Sequence, residues 1–411
     1  MSINPLRQFA PSHVRGCIAV GPDYIASAAY DTTNKTRDDT AITVWTFDGV
    51  HVGTLNEHER WVNCLEFSPD GQYLASGSED YSVRIWGILG GAPKNWAPRD
   101  VTCLWCLREG PYFPKSVHFS SDRKTLVVAY IRDGILLGGS HLKIWNVETG
   151  TCERRIGEMH MAQEDFYCAK YSPSNEFIAS ICKPWRGSVS SRFRIKLWNA
   201  NTGDFIKGLR LPPTHYDPVI TCLAFSPDSQ YIVAGSISSV DLWNISTGEC
   251  ALTWDSPQNY NTPGFKYESV AFSKDGTYVL AGNTFSTMDL FSVRSGECLR
   301  IYDALVDSEH ELSQYYHRNM KQTVFSQDGD SIVTFCTNLL PDIGKNTIAV
   351  WNSPNRELYL QVRERMYALL SALKHNESTP HRSVYQLGQS AGGPFIAIMT
   401  MVAWWDPEWI L

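Results

Sequence analysis

The 411-residue chain has no apolar run near its start: MSINPLRQFAPSH carries Pro, Arg and polar residues where a secretory leader would be greasy. It has no segment fit to span a bilayer either. The strongly apolar run near the C-terminus, Phe395 to Trp405, is well short of the roughly 20 residues a crossing takes. Positive charge is not in excess. With 36 Lys and Arg against 43 Asp and Glu the net charge is −7, which points away from a general nucleic-acid binder, because neutralising phosphates takes a basic footprint. Catalytic signatures are missing: there is no G-x-S-x-G elbow, no H-E-x-x-H helix and no phosphate-binding loop. Histidines are scattered without metal-like spacing. These absences lead to the expectation of an intracellular, non-catalytic protein with no cofactor, no metal, no small-molecule substrate and no membrane span. The eleven cysteines are an odd number without an export signal, so buried free thiols are expected rather than disulfides.

What the chain does have is a returning phrase. It reads FSPDGQYLASGSEDYSVRIW at 67–86, FSPDSQYIVAGSISSVDLW at 225–243 and FSKDGTYVLAGNTFSTMDLF at 272–291. Looser copies run through 20–45, 119–145, 171–198 and 325–351. The copies close on Trp45, Trp86, Trp145, Trp198, Trp243, Phe291 and Trp351, at intervals of 41 to 60 residues, the spacing of one propeller blade plus variable loops. Within a copy, an alternating strand ends in Phe-Ser, Pro-Asp-Gly turns the chain, and two more strands follow, the last ending in the aromatic. A turn such as NVETGTC or NISTGEC comes next, with Gly150, Gly203, Gly248 and Gly296 where a glycine-tolerant turn precedes a fourth, outer strand. Cys152, Cys250 and Cys298 start that outer strand where another copy has Phe205, and Cys64 and Cys222 are likewise equivalent. A cysteine interchangeable with phenylalanine is read as a small buried hydrophobe.

The chain resembles the WD-repeat (WD40) family over about residues 5–355, and the stretch from His58 to Trp86 is almost that family's consensus. The resemblance implies an all-β fold, a seven-bladed WD40-type β-propeller. It also implies a structural tetrad of His58, Ser76, Asp80 and Trp86, in which the Asp is structural and not catalytic. His215 with Trp243, and His160, are looser counterparts. Residues 5–9 resemble an outer strand without a blade of its own, expected to complete the last sheet and join the two ends of the chain. Past Trp351 the pattern changes: apolar residues at spacings of three and four over 357–374 predict a short C-terminal amphipathic helix within 356–375. Residues 376–411 form a tail of uncertain structure, with Trp404, Trp405 and Trp409 in it.

In this family the rim of the channel is built by loops joining the second and third strands and loops joining successive blades. Here those loops carry insertions, at 32–40, 131–140, 182–192 and 337–345 and at 108–114, 211–218, 255–266 and 306–319. Loops on a rigid scaffold are the usual carriers of recognition, and aromatic and Arg residues supply most interface energy. The candidate partner-binding residues are Arg60, Trp61, Tyr112, Phe113, Trp185, Arg186, Tyr216, Tyr260, Tyr315 and Tyr316. Each has an alternative role in packing its own loop, and Trp61 is also a candidate for the core. Lys183, Arg186, Arg192, Arg194 and Lys196 surround Trp185, a patch suited to an acidic segment. The expected function is a protein–protein interaction scaffold or adaptor binding other proteins or peptides. The alternative is a recognition subunit for a modified or acidic peptide or a degradation substrate.

Overall fold

Each copy of the phrase forms one sheet of four short antiparallel strands. The computed structural model describes residues 7–9, 15–30, 40–88, 101–132, 140–157, 164–184, 193–210, 219–255, 265–285, 287–303, 318–326, 329, 331–338 and 347–352. Blade 1 pairs Arg15–Val20, Tyr24–Tyr30, Ile42–Thr46 and His51–Leu55 in chain order. Blade 2 pairs Val62–Phe67, Tyr73–Ser78, Ser82–Ile88 and Val101–Arg108. Blades 3 to 6 repeat this over 112–156, 164–210, 222–255 and 267–303. Blade 7 takes three strands from 318–352 and its outermost one, Arg7–Phe9, from the other end of the chain, in the register Arg7–Val350, Gln8–Ala349 and Phe9–Ile348. All seven closing aromatics fall on third strands, opposite Ile25, Leu74, Leu126, Ile178, Ile232, Val279 and Ile332.

Among the described residues, no blade has a core of its own. The buried apolar residues form seven clusters, and each cluster takes its side chains from two neighbouring blades. Leu74 and Trp86 of blade 2 pack on Ile42 and Val44 of blade 1, while the adjacent Ala75 and Ile85 pack on Val117 and Leu126 of blade 3. That is the period-2 alternation of a strand with both faces covered. The last cluster joins Ile18 and Ile25 of blade 1 to Val333, Phe335 and Ile348 of blade 7, and the Ile18 N–H donates to Gln322 Oε1 across the same seam at 3.3 Å. The ring is therefore closed both by this packing and by the N-terminal strand.

The turns after the inner strands tie the blades together. In four of them a Ser hydroxyl donates to the Asp two residues on: Ser68 to Asp70, Ser120 to Asp122, Ser226 to Asp228 and Ser273 to Asp275. Blades 3, 4 and 5 place Arg123, Asn175 and Ser229 at a left-handed backbone position (φ 63°, 60° and 59°), a conformation costly for any side-chain-bearing residue. Each then reaches the turn of the preceding blade. Arg123 pairs with Asp70, Asn175 Oδ1 accepts the Ser121 N–H at 2.7 Å, and Ser229 Oγ accepts the Ser174 N–H at 3.0 Å.

Two expectations need correcting. The outer-strand cysteines are not small core residues: Cys152 and Cys298 are exposed, Cys250 is half-buried, and Phe205 at the same place is 50% exposed. The outer strand is the sheet's solvent edge, and it is the second and third strands that are covered on both faces. Cys64 and Cys222, on inner strands, are half-buried. Several loops are also shorter than the sequence suggests. Strands run through Tyr112–Phe119, Thr125–Arg132, Phe177–Pro184 and Ser331–Asn338, so of 108–114 only residues 109–111 lie outside strands. The four blade-closing turn glycines do adopt positive φ (67°, 79°, 76° and 69°). A side chain at Gly150 would run into the Trp105 ring of the neighbouring blade, 2.4 Å from an added Cβ.

The chain divides into two units, Met1–Ser353 and Pro354–Leu411. The amphipathic helix read over 356–375 and the tail at 376–411 lie outside the described residues. Among the described residues no helix is long and apolar enough to cross a membrane.

Deleting residues 2–9 leaves the third strand of blade 7 as an open edge and removes three residue pairs. The expected cost is about 1–3 kcal/mol, read as a lower midpoint in urea unfolding and as faster aggregation. An unchanged midpoint would show that the N-terminal strand does not hold the ring.

Candidate partner-binding face

Antiparallel connectivity sorts the loops onto two faces. Turns after the inner and third strands lie at one end of the ring; loops after the second and outer strands lie at the other. The tetrad sits where blade 2 meets this second, loop-rich face. His58 Nδ1 lies 2.8 Å from Asp80 Oδ2 and His58 Nε2 lies 2.7 Å from Ser76 Oγ, which accepts the Trp86 indole N–H at 2.9 Å. All four residues are buried. Asp80 Oδ2 also accepts the Glu59 N–H, and Asp80 Oδ1 accepts the Ser82 N–H and hydroxyl. Burial alone would raise the carboxyl's pKa; the hydrogen bond and charge of His58, with the Ser82 and Glu59 donors, outweigh it and hold Asp80 far below the usual carboxylate range. The network clamps the loop Glu57–Trp61 to the hairpin that follows Ser78.

Other blades keep fragments of it. A hydroxyl accepts the closing Trp in blade 1 (Ser27, 2.8 Å), blade 4 (Ser180, 2.8 Å) and blade 7 (Thr334, 3.1 Å). Val128, Ala234 and Ala281 stand there in blades 3, 5 and 6. Blade 6 substitutes a different pair: the Tyr267 hydroxyl donates to Asp289 Oδ2 at 2.7 Å, and burial pushes that carboxyl up to about 6. His160 and His215 lie outside the described residues.

Five inner strands carry a β-bulge at one equivalent point near the loop-rich end, at Asn63, Lys115, Tyr167, Glu268 and Lys321. A bulge drops one residue from the ladder and re-aims its side chain, and here it rings the channel mouth with polar and aromatic groups. They reach sideways between blades. The Asn63 amide donates to Pro114 O at 3.3 Å, and Lys321 Nζ lies 3.1 Å from Glu268 Oε1, which Lys266 also approaches at 2.8 Å. Burial opposes ionisation of Glu268, but the two lysines prevail and hold its pKa below the ordinary value.

Of the candidates named from sequence, Arg60 is exposed and Trp61 half-buried, both beside the tetrad. Tyr112 and Phe113 are half-buried strand residues: Tyr112 stacks edge-on to His141 at 4.7 Å, and Lys115 Nζ lies over the Phe113 ring at 4.5 Å. Trp185, Arg186, Tyr216, Tyr260, Tyr315 and Tyr316 lie outside the described residues. The basic patch is not continuous where it is described. Lys183 is exposed and lies over the Tyr167 ring at 5.4 Å, Arg194 is half-buried, and Lys196 is a strand residue paired with Glu164.

Sequence reasoning passed over four exposed apolar residues on this face: Tyr167 (39%), Val219 (44%), Ile237 (45%) and Phe285 (36%). They belong to three successive blades, 4, 5 and 6. Among the described residues, the other large exposed apolar ones are on outer strands or, for Val50, in a turn on the opposite face. Tyr167 could have been found from FYCAKY, where an aromatic breaks the alternation because of the bulge; Ile237 and Phe285 sit in tight turns with no such signal. Among the described residues, no group of three His, Cys, Asp or Glu side chains is placed to hold a metal ion.

Seven four-stranded sheets closed in a ring define the class: a β-propeller. Residues 49–87 and 207–243 match the family model for the WD domain, G-beta repeat. The chain is a seven-bladed WD40-type β-propeller, and these two stretches carry that family's repeat. Periodic tryptophan protein 2 of Arabidopsis thaliana is 26% identical over 188 residues, 45% of this chain and 17% of that protein. Eukaryotic translation initiation factor 3 subunit I of Drosophila ananassae is 26% identical over 251 residues, 60% of this chain and 69% of that one. Pre-mRNA-processing factor 19 of Oryza sativa subsp. japonica is 23% identical over 231 residues, 56% of this chain and 38% of that one. The chain thus matches less than half the length of the first and third of these relatives.

Asp80→Asn tests the tetrad. Asp80 stays ionised in the fold well below the value near 3.9 at which it titrates when unfolded. Its contribution is therefore complete above about pH 4 and is lost as pH falls further. Denaturant unfolding at pH 7 and pH 3 should show the wild type losing more stability between the two than the variant, which at pH 7 is weaker by about 2–3 kcal/mol. Parallel losses would mean that Asp80 carries no linked proton.

Proposed function

We propose that this protein is a non-catalytic scaffold or adaptor that holds partner proteins on the loop-rich face of its propeller. The observation that carries the reading is the arc of exposed Tyr167, Val219, Ile237 and Phe285 beside a bulge-built ring of Asn63, Lys115, Tyr167, Glu268 and Lys321. Contiguous apolar surface rimmed by polar groups is what protein interfaces use. The side chains that look most like an acid–base pair in the sequence, His58 and Asp80, are buried and committed to each other, which supports a structural role for them. One relative is by its name a subunit of a larger factor, in keeping with an assembly role here. The eleven free thiols suit a reducing, intracellular setting. A finer reading, that the partner segment is acidic, draws support from Lys115, Lys183, Lys266 and Lys321 around the mouth, against Glu268 and Asp165. Trp185, Arg186, Tyr216, Tyr260, Tyr315 and Tyr316 remain candidates within the same set of loops.

The test is affinity capture from native cell extract with three proteins: wild type, Tyr167→Ala/Ile237→Ser/Phe285→Ser, and Trp185→Ala/Arg186→Ala/Tyr315→Ala/Tyr316→Ala. Circular dichroism checks that each is folded. Partners held by the wild type and lost at least tenfold in the first variant support the face described here, since interface hot spots contribute about 2 kcal/mol or more each. Undiminished capture by both variants would move the working surface elsewhere.

A further inference from the structure

The channel's other end, among the turns after the inner strands, holds a cavity of about 350 Å³. Its wall is not symmetric. One residue before the end of each inner strand, the seven blades present Ala19, Glu66, His118, Lys170, Ala224, Ala271 and Val324. Polar groups thus occupy three successive blades, 2 to 4, and small or apolar ones the rest. Phe67, Phe119, Phe225 and Phe325 line the same space.

The polar arc is a set of donors. His118 Nδ1 accepts the Tyr171 N–H at 3.2 Å, so the ring proton sits on Nε2, which lies 3.8 Å from Glu66 Oε1. Burial and the neighbouring Lys170 charge lower the His118 pKa to about 3, so the ring is neutral and keeps that tautomer. Gln322 also lines the cavity, and its carbonyl oxygen is used by the Ile18 N–H, which leaves its NH2 as the free end. Lys170 is half-buried, with no carboxylate within ion-pair distance among the described residues. Glu66 is the single acid of the arc, and burial pushes it up to about 7 against the pull of Lys170. Near neutral pH the arc therefore offers an ammonium, an imidazole N–H and a carboxyl that is easily protonated, and Gln322 adds an amide NH2 from blade 7.

We propose that this cavity is a binding site for a small organic carboxylate with an apolar body. Its carboxylate lies against Lys170 and His118, and its body against Phe225 and Phe325 of blades 5 and 7. A cavity of this size is at the lower end of those that take small ligands, and a charge-assisted contact to a half-buried ammonium is among the stronger polar contacts. The site is separate from the partner-binding face, because it opens among the opposite set of turns.

The probe is 4-fluorobenzoate, titrated into the full-length protein and followed by its fluorine resonance. Saturable binding is expected at pH 6, at least tenfold weaker for the uncharged 4-fluorobenzamide and for Lys170→Met, and retained by Lys170→Arg. Binding to the wild type should weaken from pH 6 to pH 8 as Glu66 ionises, while Glu66→Gln removes that dependence. The groups facing Glu66 do not titrate in this range. His118 is already neutral, and burial raises the Cys64 and Cys168 thiols, keeping them protonated. Absence of saturable benzoate binding to the folded wild type would overturn the proposal. So would equal binding by a folded Lys170→Met or by the benzamide.

Discussion

A four-stranded sheet that is apolar on both faces is not stable until a second sheet covers each of them, and that requirement organises the whole propeller. Every cluster of buried apolar residues here spans a seam between two blades. Stability is thereby shared round the ring, and the one break in covalent continuity falls inside blade 7, between the strands Thr347–Asn352 and Arg7–Phe9. Packing of Ile18 and Ile25 on Val333 and Phe335 supplies the closure, and the strand Arg7–Phe9 stitches the two ends of the propeller chain into one sheet. The left-handed residues Arg123, Asn175 and Ser229 follow the same logic: local backbone strain is tolerated where the side chain clasps the blade before it.

Much of this is readable from the chain. The returning phrase marks the sheets, and the closing aromatics fall on equivalent third-strand positions because a large ring, buried in every blade but the first, where Trp45 is half-buried, fills each seam. The Gly of NVETGTC and its counterparts marks a backbone conformation that other residues adopt only at a cost. Strand ends were harder to read. Bulged positions hold Asn63, Lys115, Tyr167, Glu268 and Lys321, residues with nothing in common, because a bulge selects for direction and not for side-chain type. The inner strands therefore extend past where alternation stops, and Tyr112 and Phe113 become strand residues. The outer-strand cysteines mislead in the opposite way: apolar identity at an edge strand does not report burial, as Cys152, Cys298 and Phe205 show.

The two ends of the channel divide the chemistry. At the loop-rich end the tetrad of His58, Ser76, Asp80 and Trp86 stiffens one sector of the rim, while blades 4 to 6 expose apolar groups next to a lysine-rich mouth. Preorganised loops lose less entropy when a partner docks, which is the energetic advantage of building a binding face on a closed ring. At the turn end the inner strands leave a small chamber with one polar side. Neither feature follows from the repeat itself. Both arise at positions where the blades differ from one another, such as Glu66, His118 and Lys170 against Ala19, Ala224 and Ala271.

The loop-rich face is proposed as the working surface of the ring. Hydrogen exchange of the full-length protein, alone and bound to a partner captured from extract, addresses it most directly. Protection is expected at 56–61, 164–167, 183–192, 236–238 and 284–285, with the turns at 68–72, 120–124 and 226–230 unchanged. Protection confined to those turns or to the outer strands would contradict it.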